Sequence, residues 1–139
     1  MTVISDSFQI PTSGFCDAVD LTGHVQNAVR ASGLSAGLAT IFIAGSTAGI
    51  TTIEYESGVI EDLRKVIEEL VPEDREYLHN LRWQDGNGFS HVRAALFKPD
   101  LTVPFSQGKL LLGTWQQIVL LDFDNRPRNR KVLVQILGE

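Results

Sequence analysis

The sequence predicts an α+β fold from three observations: strand-like runs gather at both ends of the chain, helical periodicity occupies the middle, and glycine- or proline-bearing turns separate the segments. Its 139 residues suit one domain spanning 1–139, large enough to bury a core without disulfides.

Thr2 to Ile10 and Gly14 to Val19 read as a hairpin around Pro11-Thr12-Ser13-Gly14, because two extended segments flank a cluster of turn formers. A helix follows. Asp20 or Thr22 can cap it, Val25 and Val29 share a face, and Gly33 offers a stop. GLATIFIA, from Gly37 to Ala44, is rich in β-branched residues and reads as a buried strand, with Ile50 to Glu56 as another. Ser57 opens an amphipathic helix with Val59, Ile60, Leu63, Val66, Ile67 and Leu70 on one stripe before Pro72. A short helix is expected around Glu73 to His79. RWQDGNGFSH then leads into a helix that Asn87 or Ser90 can cap, with Val92, Ala95 and Leu96 on its apolar face. LTVPF, KLLLGTWQQIVLLDFD and KVLVQILG supply the closing strands, separated by Ser106-Gln107-Gly108 and by Asn125-Arg126-Pro127-Arg128.

Composition narrows the function. Hydrophobic residues make up 43% and charged residues 21%, with no apolar run long enough for a membrane helix. MTVISDSFQ lacks the features of a secretory signal, so a cytoplasmic location is expected. A net charge of −5 argues against nucleic acid as a partner. The lone Cys16 reads as a small apolar residue in or beside a strand.

The candidate chemistry lies in polar residues interrupting this pattern. His79 and His91 flank a loop carrying Asp85 and Asn87, and such groups can share a metal, position a pyrophosphate or exchange protons. On spacing alone the plainer alternative leads: Asp85-Gly86-Asn87 is a turn and the histidines satisfy backbone groups. The start of the following helix favours an anion. Glu54 sits in a strand where a carboxylate is locally unfavourable, and solvent exposure or a functional role explains it equally. Arg126, Arg128, Arg130 and Lys131 can hold phosphate, although a solvated strand edge is the plainer account. Trp115 is expected in the core, and Gln116 needs a partner if buried.

The ordered segments GLATIFIAGSTAGITTIE, IEDLRKVIEELVP, YLHN, DGNGFSHVRAAL, VPFSQGKLLLGTWQQIVLLDFD and RPRNRKVLVQILG resemble the YjbQ family, the secondary thiamine-phosphate synthase-like proteins, over nearly the whole chain. The resemblance implies a β-sandwich of mainly antiparallel strands with helices packed against it, a homotrimer, and a polar site near subunit boundaries. It implies the joining of hydroxymethylpyrimidine diphosphate and thiazole phosphate with release of pyrophosphate, aided by a divalent metal, magnesium or zinc. His79, Asp85, His91 and Glu54 match catalytic positions, with His79 and His91 also available to metal. Ser46, Thr47, Asn87, Gln116 and Arg128 are assigned to the small phosphorylated substrate. Where the family carries His-Thr-Thr-Ala, this chain has Gly45-Ser46-Thr47-Ala48. Glycine brings no donor, acceptor or base, which leaves open a non-catalytic binding protein with a degenerate site.

Overall fold

The computed structural model describes Met1–Glu139 and is an α+β fold of two curled antiparallel sheets with helices against them. In chain order the elements are β1 (Thr2–Thr12), β2 (Asp17–Asp20), α1 (Thr22–Ser32), β3 (Ala36–Ile43), β4 (Ala48–Ile53) and α2 (Ser57–Leu70). There follow α3 (Leu78–Trp83), α4 (Gly88–Phe97), β5 (Asp100–Ser106), β6 (Lys109–Leu110), β7 (Gln117–Asp122) and β8 (Arg128–Gly138). The larger sheet has the order β1-β8-β3-β5-β6 and the smaller β2-β7-β4.

Alternation assembles the layers. Val132, Val134 and Ile136 of β8 join Ile41 and Ile43 of β3, meeting Ile118 and Leu120 of β7 and Val25 and Val29 of α1 in one core. Val119 and Leu121 of β7 point the other way, into a second cluster with Ile60 and Ile67 of α2 and Ala94 of α4. This double coverage explains why β7 reads as an unbroken apolar run.

The expected first hairpin does not form. β1 pairs along its whole length with β8, from Thr2 opposite Gly138 to Thr12 opposite Arg128, and β2 pairs with β7 in the other sheet. The turn formers change sheets instead: Gly14, Phe15 and Cys16 all have positive φ, and a β-carbon on Gly14 would lie 2.4 Å from the Asp124 carbonyl oxygen. As an edge strand, β1 also tolerates Pro11, which has no N–H to donate.

Gly33 ends α1 in the left-handed region, whereas Thr22 does not cap that helix; Asp20 Oδ1 accepts the Thr22 N–H from outside it. β4 stops at Ile53, short of the expected Glu56, because Glu56 turns to cap α2 and accepts the N–H groups of Gly58 and Val59 at 2.7 and 2.9 Å. α3 begins later than expected, after Tyr77, whose hydroxyl donates to the Pro72 carbonyl.

The face expected to seat α4 is reversed. Val92, Ala95 and Leu96 are exposed, while Gly88, Phe89, Ser90, Arg93 and Ala94 face inward. Arg93 is the latch: it donates to the Val71 carbonyl at 2.8 and 3.0 Å and to Glu68 at 2.5 Å, lies 3.7 Å from Glu73, and rests on the Phe89 ring. Val92 and Leu96 are thereby left uncovered, as are Val66 and Leu70 of α2. Trp115, expected in the core, is exposed as well.

Candidate functional site

The end of β7 and the start of β8 build the floor of a polar basin. Strand alternation puts Arg128 and Arg130 on one side of β8, which is central in its sheet and not the solvated edge that sequence suggested. Arg130 grips the fully buried Asp122 with Nε and Nη2 at 2.7 and 2.9 Å, and Thr12 Oγ1 donates to the same carboxylate at 2.6 Å. Arg130 Nη2 also donates to Thr47 Oγ1 at 2.7 Å, and that hydroxyl passes its proton toward Asp124 at 2.9 Å. Asp124 further accepts from Asn87 Nδ2 and lies 3.5 Å from Arg128 Nε. Burial alone would raise the Asp122 pKa. The hydrogen bonds and charge of Arg130, with the Thr12 hydroxyl and the Asp124 N–H, outweigh it and hold the carboxyl below the usual range.

The α3–α4 connection forms the opposite wall. Gly86, at φ 64°, turns the chain, and Asn125 stitches the loop to the floor by donating from its side chain to the Asp85 carbonyl and from its backbone to Asn87 Oδ1. The loop's own N–H groups are largely spent: Asn87 donates to Asp85 Oδ1, Gly88 to Asn80 Oδ1 and Ser90 to the Asn87 carbonyl. The helix start is therefore a weaker anion trap than the sequence suggested. Ser90 does not cap it either; its hydroxyl is buried against Asn87.

His79 and His91, twelve positions apart in sequence, meet with ring centroids 4.3 Å apart and planes tilted by 36°. Burial, and then the neighbouring His79, push the His91 pKa down, so its imidazole is neutral at pH 7. His79 Nδ1 lies 3.3 Å from Asp85 Oδ1 but out of line for a hydrogen bond, and is thus a buried nitrogen without a partner.

The basin has a volume of ≈ 450 Å³ and none of its eleven lining residues is hydrophobic. Of the residues assigned from sequence, Ser46, Thr47, Asp85, Asn87, His91 and Arg128 line it, and His79 stands behind His91. Glu54 and Gln116 do not. β4 and β7 run antiparallel, with Ala48 opposite Asp122 at the basin end and Ile53 opposite Gln117 at the other, so Glu54 and Gln116, one residue further on, lie about 20 Å away along the strands. Both are exposed, and Gln116 bonds Gly113 and Thr52. Sequence reasoning did not single out Asp122 and Asp124, nor assign Arg126 and Arg130 to the site. The available signal was a DFD step ending an apolar strand, followed by arginines at every second position.

No three His, Cys, Asp or Glu side chains of this chain converge in ligating geometry, and Gly45 adds none. Arg126, by contrast, lines the basin with no carboxylate within ion-pair distance. The arrangement offers the guanidiniums of Arg126 and Arg128, the Ser46 hydroxyl and the His91 imidazole to an anion.

A match to the family described as "UPF0047 protein YjbQ-like" spans residues 6–139. A UPF0047 protein of Methanothermobacter thermautotrophicus is 35% identical over 139 residues, covering 100% of this chain and 95% of the relative. Another, of Archaeoglobus fulgidus, is 34% identical over 128 residues, covering 92% and 97%. Among solved structures, a YbjQ-like protein of unknown function from Sulfolobus solfataricus superposes with TM-score 0.94 at 36% identity, covering 99% of each chain. An uncharacterised YjbQ/UPF0047 protein from Clostridium acetobutylicum gives 0.87 at 34%, covering 95% of this chain and 99% of that one.

Proposed function

The chain belongs to the YjbQ family, and we propose that its polar basin binds a small phosphorylated metabolite and catalyses thiamine-phosphate synthase-type alkyl transfer. The observation that carries this is the convergence of Arg126, Arg128, Ser46 and His91 on one cavity without a hydrophobic wall. In the reaction, the thiazole nitrogen attacks the methylene carbon of hydroxymethylpyrimidine diphosphate. The C–N bond forms as the C–O bond breaks, and pyrophosphate leaves with the electron pair. The quaternised nitrogen has no proton to lose, so the step needs charge stabilisation at the leaving group more than a base. Arg126 and Arg128 face that charge, Ser46 and His91 donate to its oxygens, and Asp122 and Asp124 fix the floor. A magnesium ion bound with the substrate's phosphates would supply further charge stabilisation at the leaving group, and Asp85, which lines the basin, would be a carboxylate to hold it. The homotrimer belongs to the same proposal, supported by the uncovered Val66, Leu70, Val92 and Leu96.

The test is formation of thiamine phosphate from the two precursors with magnesium. Wild type is expected to turn over, and His91→Ala to lose about a hundredfold in rate. Full activity in His91→Ala would remove the histidine from the proposal. A second function has its own observation: Gly45 sits at φ 118°, where any side chain is strained, so this backbone does not readily seat a histidine at that position. If wild type binds pyrophosphate but makes no product, the protein is a non-catalytic phosphometabolite carrier.

A further inference from the structure

Beside the basin lies a second cavity of ≈ 180 Å³, formed where the start of β4 passes α4 and the chain leaving it. It shares Gly45, Ser46 and His91 with the basin, and its remaining walls are Ala48, Ala94, Ala95 and Pro99. The two spaces therefore meet at three residues. A β-carbon built on Gly45 would approach only the Arg130 guanidinium, at 3.4 Å, with nothing else within 4 Å. Glycine thus keeps the junction open where a side chain would extend into it. The chemistry changes sharply across that line. On one side stand guanidiniums, carboxamides and carboxylates; on the other are methyl groups and a proline ring with no charge among them.

We infer that the annex is a specificity subsite for the uncharged part of a phosphate monoester, with the phosphate held by Arg126 and Arg128 and the ester linkage crossing the junction at Gly45, Ser46 and His91. This rests on the proposed phosphate-binding role of the basin and adds the kind of molecule attached to the phosphate. At ≈ 180 Å³ the annex falls below the roughly 300–1,000 Å³ that holds a drug-sized ligand, so it takes a few carbon atoms or one small ring and rejects a nucleoside. Beyond Ser46 and His91 at the junction its walls offer no hydrogen-bonding side chain, so the far end of a sugar-like tail loses water contacts with no side chain to replace them. An alkyl tail gains by burial.

The experiment is calorimetric titration of the wild type and Ala95→Phe with three probes: inorganic phosphate, n-butyl phosphate and glycerol phosphate. Ala95 is exposed on α4 and lines only the annex, so the larger ring fills that space from the outside. Wild type is expected to bind butyl phosphate about tenfold more tightly than inorganic phosphate, from burial of part of the tail, with glycerol phosphate gaining nothing. In Ala95→Phe the ratio of butyl phosphate to phosphate affinity falls toward unity. Ala95→Ser, which keeps the volume but adds a hydroxyl, provides a milder second variant in which that ratio shrinks and the glycerol phosphate affinity rises. Equal binding of butyl phosphate and phosphate by wild type overturns the subsite and leaves the basin standing, as does a preference untouched by Ala95→Phe. Failure of all three probes to bind overturns the phosphate role of the basin and the annex with it.

Discussion

Arg93 and Arg130 are both buried guanidiniums, but their anions live in different media. Arg130 sits beneath the basin against Asp122 and Asp124, whose side chains are 0% and 4% exposed. Arg93 ties α4 to α2 through Glu68 and Glu73, whose side chains are 51% and 42% exposed. A pair buried on both sides is closed, so removing one partner strands the other in a low dielectric. Where the carboxylates reach solvent, water can take over when the guanidinium goes. Arg130 therefore fixes a charge arrangement, while Arg93 chiefly fixes a helix orientation.

The comparison breaks most sharply at Asp122. Asp122→Asn removes the nearer of the two buried carboxylates facing Arg130, leaving only Asp124 at 3.8 Å, and should cost about 3 kcal/mol in urea unfolding at pH 7. Because the Asp122 pKa is depressed in the fold, its contribution is present above the ordinary carboxylate range and is lost as pH falls through and below that range. The wild type should accordingly lose more stability than Asp122→Asn between pH 5 and about pH 3. Arg93→Leu should cost less, about 1–3 kcal/mol, mostly from the Val71 carbonyl losing its donors. A loss equal to that of Asp122→Asn would erase the distinction between the two arginines.

Arg126 sharpens the contrast from the other side, as a guanidinium with no protein anion. Arg126→Ala should weaken pyrophosphate binding about tenfold, or 1.4 kcal/mol, by calorimetry at low salt. Its unfolding midpoint in urea should move little, corresponding to less than about 0.5 kcal/mol. The smallest effect is the titration of His91. Its pKa is lowered in the fold, first by burial and then by His79, so the unfolded chain binds its proton more readily. Stability is therefore full above about pH 6.5 and falls as pH drops below it. His91→Gln should flatten the melting temperature between pH 7 and pH 5 relative to wild type, and an unchanged slope would assign that dependence elsewhere.

What the sequence conveyed follows the same division between local and distant causes. β3 and the amphipathic α2 were legible because periodicity and a capping segment are written within each element. The histidine loop could be picked out because polar groups clustered around glycine. The floor was harder to see: Asp122 takes a hydrogen bond from Thr12, 110 residues away, and Asp124 takes one from Thr47, 77 residues away. No local pattern announces such pairings. The orientation of α4 was misjudged for a related reason, since Arg93 outweighs Val92 and Leu96 only through partners on α2 and at its end. The family resemblance ties Glu54 and Gln116 to the site, yet the six residue pairs of β4 and β7 carry them to the far end of those strands.

The position of β8 between β1 and β3 has a consequence in time. β1 is the first of the eight strands to be synthesised, and its sheet neighbour is the last; Ser5 meets Gln135 across 130 residues. At about 5–20 residues per second, a nascent β1 waits on the order of ten seconds for its partner. Through that interval its edge is open to other chains, and Asp6 and Pro11 within it discourage such pairing. Once β8 is released, β1 and β3 can dock on it from either side. Closing so long a loop makes completion of the larger sheet the slow step of folding, in the millisecond-to-second range typical of β-rich topologies.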